Sequence, residues 1–195
     1  MTAHVDSAAV IRPMFGETVS GDAAFVVDLD EGLMAVIVDV LGHGEEANEL
    51  AVRIQAYLQH DASEDVVDVL RRLHNHFRGS RGAAVGVSMI NAADGRLRYA
   101  GIGNTVIRRF GQVETRLVAR DGVVGGRMRS PIEETMQLED GDLVVLYTDG
   151  AKTHFAASEY PGLRTDTASA VADNIVQRFG KSHDDASCVA VKYQR

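Results

Sequence analysis

Apolar positions change their period along the chain, and each change marks an element. Leu33 to Val38 carries no charge and closes on Asp39, the pattern of a strand buried on both faces with a carboxylate at its mouth. Gly42 and Gly44 follow, where the backbone can turn sharply and approach whatever Asp39 holds. Ahead of this run, Phe15 to Gly21 has loop chemistry leading to Asp22, Ala23 to Leu29 is apolar, and Asp30-Glu31-Gly32 supplies a tight turn. The two runs therefore predict an antiparallel hairpin with Asp22 and Asp39 at one edge. Beyond Gly44 the period lengthens. Ala47, Leu50, Ala51, Ile54 and Leu58 recur at helical spacing behind Glu45 and Glu46, whose charge suits a helix N-terminus. A second helix is predicted after a cap at Asp61 or Ser63, with Val66, Val69, Leu70, Leu73 and Phe77 on one face. His74 and His76 stand two residues apart, point to different faces, and read as helix-end residues rather than metal ligands.

From Gly82 the pattern turns strand-like. Ala83 to Asn91, Leu97 to Ile102, Thr105 to Phe110 and Val113 to Ala119 are separated by Asp94-Gly95, Gly103-Asn104 and Gly111, which predicts a meander of short hairpins. Asp121 to Pro131 is glycine-rich and reads as a mobile surface loop, with Arg127 and Arg129 in a solvated turn. Glu133 to Leu138 predicts another strand. Leu143 to Thr148 repeats the opening device, an apolar run ending on Asp149-Gly150. Ala168, Val171, Ala172, Ile175, Val176 and Phe179 trace one helical face that Gly180 stops, and Ser182-His183-Asp184-Asp185 leads into a last strand to Val191. Near the start, Ala8 to Arg12 is a short apolar run that Pro13 interrupts.

Composition narrows the classes. A length of 195 residues with no repeat or linker fits a single domain over residues 1–195. A net charge of -8 argues against a nucleic-acid or anionic-membrane surface, since both reward clustered Lys and Arg. The single cysteine, Cys188, excludes an internal disulfide and suits a reducing compartment. With no secretory pattern over Met1 to Val10 and no apolar run of spanning length, the expectation is a cytoplasmic protein.

Four acids share one context. Asp22, Asp39, Asp149 and one of Asp184 and Asp185 each open or close an apolar strand. Gathered at one sheet edge they would repel one another unless divalent cations lay between them. Carboxylates, carbonyls and water form an oxygen-only donor set, which favours Mg²⁺ or Mn²⁺ over Zn²⁺. A pair of such ions, about 3.5–4 Å apart, readies water and clamps a phosphoryl group for in-line attack. The reaction class is phosphate ester hydrolysis.

Ser20-Gly21-Asp22, Asp39-Val40-Leu41-Gly42-His43-Gly44, Gly103-Asn104, Thr148-Asp149-Gly150 and Asp184-Asp185-Ala186-Ser187, in this order, resemble the motif series of the metal-dependent type 2C (PPM) protein phosphatases. The likeness is to their compact SpoIIE-like bacterial branch. Overall length and the Arg81-Gly82-Ala83 stretch are most like the stressosome phosphatases of the RsbX type within it. The resemblance implies an α+β fold, a four-layer αββα sandwich of two antiparallel sheets flanked by helix pairs. It implies two Mn²⁺ or Mg²⁺ ions, bridged by Asp39, with the Val40 carbonyl on one, Asp149 and Asp184 on the other, and Asp22 acting through water. Asp185 would then point away. It also implies a serine/threonine phosphatase for phosphorylated STAS-domain stressosome proteins; a monomer is expected. The competing reading is an inactive phosphatase-like module that binds a phosphoprotein. Val40 stands where most relatives have glycine, and Asn104 where many larger relatives have aspartate. Arg12 is the one arginine ahead of Asp22 to hold a phosphate.

Overall fold

A strand apolar at every position needs cover on both sides. In this computed structural model, which describes residues 4–152 and 155–195, β3 (Gly32–Val40) has it. Leu33, Ala35 and Ile37 face a core between two sheets, where they meet Ile107, Val144, Leu146, Val189 and Val191. Met34, Val36 and Val38 face an outer core with Ile54, Leu58, Leu70 and Leu73 of two helices. Each of these side chains larger than alanine contributes about 2 kcal/mol on burial, so β3 is held by hydrophobic cover on both faces.

The first sheet runs β2 (Asp22–Leu29), β3, β4 (Ala83–Asn91), β5 (Arg96–Ile102), β8 (Glu134–Gln137). The second runs β1 (His4–Arg12), β10 (Ala186–Gln194), β9 (Leu143–Tyr147), β6 (Val106–Phe110), β7 (Thr115–Val118). Every neighbouring pair is antiparallel. Helices α1 (Glu45–His60) and α2 (Val66–His76) cover the first sheet, burying the faces that their spacing predicts. The second sheet is covered by α3 (Ala168–Phe179), whose six periodic residues are all buried, together with Phe155, Tyr160 and Leu163 around a short 3-10 turn at Ala157–Glu159. That flank thus carries one α-helix among the described residues, where a pair was expected. The sandwich itself is the one anticipated. No helix among the described residues is long and apolar enough to cross a membrane.

Three local expectations change. The cap of α2 is Asp65, whose carboxylate accepts from the Val67 and Asp68 N–H groups at 3.0 and 2.9 Å. Asp61 instead ends α1 and pairs with Arg72. The predicted meander breaks at Gly103-Asn104: β5 and β6 do not pair, and the chain crosses there from one sheet to the other. Period-two patterning reports that a segment is a strand but not which neighbour it takes, so the crossover was invisible in it.

The glycine-rich stretch 121–131 is pinned rather than mobile. Val124 is buried in the outer core and exchanges two main-chain hydrogen bonds with Ala83. Gly125 N–H donates to His74 Nδ1 at 3.1 Å. A Cβ at Gly125 would stand 2.6 Å from Ser80 Oγ and 2.7 Å from the Phe77 carbonyl, so glycine is there for close packing. Arg127 and Arg129 remain exposed, as expected. His74, at the end of its helix, therefore anchors this stretch. Burial, and secondarily Arg78, hold its pKa below the usual histidine value, which keeps Nδ1 free to accept. Replacing it by alanine should cost about 1 kcal/mol and raise hydrogen exchange at the Gly125 amide while leaving the β3 amides protected. Unchanged exchange at Gly125 would refute the anchoring role.

Candidate active site

The β2–β3 hairpin sets Asp22 directly opposite Asp39 in the ladder. Asp149 follows β9, and Asp184 and Asp185 precede β10, the strand beside β9. The two sheets are sewn together at this end by one carboxylate. Asp22 Oδ2 accepts from Thr148 Oγ1 and from Ser187 Oγ, each at 2.7 Å, and its own N–H donates to Ser20 Oγ at 3.0 Å. Asp22 is 5% exposed. Burial, then the nearby Asp39 charge, hold its pKa well above the carboxylate range, against the pull of the two hydroxyls.

Asp39 is half-buried, with its pKa raised to about 7 by burial first, then by Asp149, Asp184 and Asp185; the Asn104 side chain bonds it and opposes the shift. Asp184 is raised by burial and by Asp149, with Lys181 opposing. These couplings bring Asp22, Asp39, Asp149 and Asp184 to one end of the sandwich. Asp185 serves differently. It is buried, and its two oxygens accept from the Met14 and Gly21 N–H groups at 2.8 and 2.7 Å, tying down the loop that precedes Asp22.

Lys181 and Gly150 fix the Asp149 turn. The Lys181 N–H donates to the Gly150 carbonyl at 2.7 Å, and its ammonium reaches the Asp149 carbonyl. A Cβ on Gly150 would lie 1.7 Å from the Asp185 carbonyl oxygen, so only glycine lets the two acid-bearing turns press together. Arg12, the one candidate ahead of Asp22 for holding a phosphate, donates to the Lys181 carbonyl at 2.7 Å and secures the same loop. Val40 turns its side chain into the outer core at 1% exposure, so the isopropyl group that replaces glycine does not crowd the acids. Thr148 and Ser187 stood in the sequence motifs with no role assigned, and Lys181 was passed over. A hydroxyl beside each of two strand-end acids was the available signal.

Oxygen donors under mutual repulsion suit a hard divalent cation. Among the described residues no three Asp, Glu, His or Cys side chains close on one point. An ion held here would therefore draw the rest of its coordination from main-chain carbonyls and water, as Mg²⁺ does.

Two facing antiparallel sheets flanked by helices are the fold of the PP2C phosphatase domains, and the solved structures bear the fold out. RsbX in complex with magnesium shares 22% identity at a TM-score of 0.84, over 98% of this chain and 96% of that one. A chain from the bacterial stressosome, described as a modular system adapted to control secondary messenger signalling, shares 21% at 0.88, over 96% and 99%. The chain belongs to the SpoIIE family: the family model for stage II sporulation protein E matches residues 30–194. Among curated proteins, phosphoserine phosphatase RsbX of Bacillus subtilis (strain 168) is 26% identical over 137 residues, 69% of each chain.

Two outcomes follow from the charge geometry. Folded Asp39 binds its proton more tightly than the unfolded chain does, so its contribution to stability is complete below about pH 4 and is lost as pH rises through about 7. Denaturant unfolding in EDTA should therefore show Asp39→Asn gaining on the wild type across that window, by on the order of 2 kcal/mol at pH 8 after solvent screening. A gain independent of pH would refute the repulsion. Ser187→Ala, which strips one donor from buried Asp22, should lower stability by about 1–3 kcal/mol in the same assay.

Proposed function

We propose that this chain is a cytoplasmic, monomeric, Mn²⁺- or Mg²⁺-dependent phosphoprotein serine/threonine phosphatase that acts on phosphorylated STAS-domain proteins of a stressosome. The observation that carries the reading is Asp39, half-buried against Asp149 and Asp184 with its proton affinity raised to about 7. A binding module would have no use for that repulsion, whereas a site for two divalent ions requires it.

Asp39, the Val40 carbonyl, Asp149 and Asp184 would hold the ions, with Asp22 acting through water. Bound there, the ions supply Lewis acidity to ready water and positive charge to meet the phosphoryl group. The chain's own residues hold the geometry. Lys181 and Gly150 fix Asp149, the Thr148 and Ser187 hydroxyls orient Asp22, and Asn104 orients Asp39. The substrate assignment draws on the RsbX and stressosome likenesses.

Hydrolysis of p-nitrophenyl phosphate should depend on Mn²⁺ and stop in EDTA. Incubation with phosphorylated STAS-domain proteins should remove a phosphoserine or phosphothreonine. No metal-dependent turnover of either would favour a phosphoprotein-binding module instead. Asp39→Asn should abolish turnover. Asp184→Asn and Asp185→Asn should separate: the first weakens metal-dependent activity at least tenfold with stability kept, while the second lowers stability by about 1–3 kcal/mol because one of two main-chain donors then faces an amide NH2. If Asp185→Asn instead weakened metal dependence with the fold intact, the ligand assignment would move to Asp185.

A further inference from the structure

A groove of about 410 Å³ lies beside the acids, within the ~300–1,000 Å³ range of ligand sites. Its floor includes Ala84, which is the ladder partner of Asp39. Asn104 lines it too, and that side chain bonds Asp39, so the groove opens directly onto the acid cluster. A second cavity, of about 230 Å³ and bordered by Gly32 and Leu33, sits at the opposite end of β3 and has no such connection.

Both walls are apolar and both are held. On one side stands Leu41, 49% exposed although it follows a buried strand. Its backbone cannot drift, because its N–H donates to the Gly82 carbonyl and its carbonyl accepts from Arg81 Nη1, each at 3.0 Å. Val123 forms the other side. Its N–H donates to the Arg127 carbonyl at 2.8 Å, and the next residue, Val124, is locked into the core. A groove built before its occupant arrives loses little to ordering. Asp121, with its side chain 89% exposed, lies on the rim and pairs with Arg129 at 3.8 Å.

We propose that this groove seats the residue flanking the phosphoserine, and that it selects an apolar side chain there and rejects an acidic one. The proposal rests on the phosphatase reading above. An apolar side chain would be covered by Leu41 and Val123, while a carboxylate would lose water there and face the acid cluster. The occupant is thus an extended segment of a phosphoprotein. The pinning of the glycine-rich stretch gives the groove its second wall.

The test compares phosphoserine peptides that differ only in the residues on either side of the phosphoserine, leucine in one and aspartate in the other. The full chain in Mn²⁺ should hydrolyse the leucine peptide with kcat/KM at least tenfold higher. In Leu41→Asp and in Val123→Asp that ratio should fall to near one, and Leu41→Met should restore it. A loss of folding would change rates without erasing the ratio, and two separate variants guard against one being inactive. Hydrolysis of p-nitrophenyl phosphate with no preference between the peptides, or a preference that persists in an active Asp variant, overturns this proposal alone. A wild type that leaves p-nitrophenyl phosphate and both peptides untouched overturns the phosphatase reading and this proposal with it.

Discussion

Crowding of like charge at one end of the sandwich is the constraint that the rest of the structure serves. Asp39 stands at the mouth of a strand that is buried on both faces, and Asp149 and Asp184 lie close enough to raise its proton affinity. Hydrophobic burial along β3, β9 and β10 supplies the free energy that holds these strand ends together against their repulsion. A fold without a use for that repulsion gains by replacing the acids. Keeping them trades stability for a cation site, the exchange expected where function needs a strained locale.

Much of what surrounds the acids makes the crowding tolerable. Asp22 is satisfied by two hydroxyls from the opposite sheet, so a buried carboxylate becomes a cross-sheet tie. Asp185 spends both oxygens on main-chain N–H groups and serves the loop before Asp22. Lys181 brings a positive charge toward Asp184 and clamps the Asp149 turn at once. Asp184 and Asp185 both bear on Asp39, while Asp185 also braces the backbone through the Met14 and Gly21 N–H groups.

The fold class was legible because its signals are local and periodic. The helical faces of α1 and α3 came through residue for residue, and the β2–β3 hairpin placed Asp22 beside Asp39 from turn chemistry alone. The glycine-rich stretch is pinned although its composition suggests mobility, because glycine reports conformational freedom and close packing with the same letter; only the Phe77 carbonyl and the Ser80 hydroxyl against Gly125 tell them apart. Arg12 likewise carried the right charge for a phosphate, but its place against the Lys181 carbonyl depends on how β1 meets the loop before β10.

By itself the sequence determined which segments are strands and helices, and that each of four carboxylates ends or begins an apolar strand, since periodicity and turn chemistry act over a few residues. Tertiary structure alone decided that β5 and β6 part into different sheets, that Thr148 and Ser187 reach Asp22, and that Asp185 takes the Met14 and Gly21 N–H groups. Those outcomes depend on contacts between residues more than a hundred positions apart in the chain or on the choice of strand neighbour. No local pattern encodes that choice, because every apolar strand offers the same ladder of donors and acceptors to any partner that burial brings beside it.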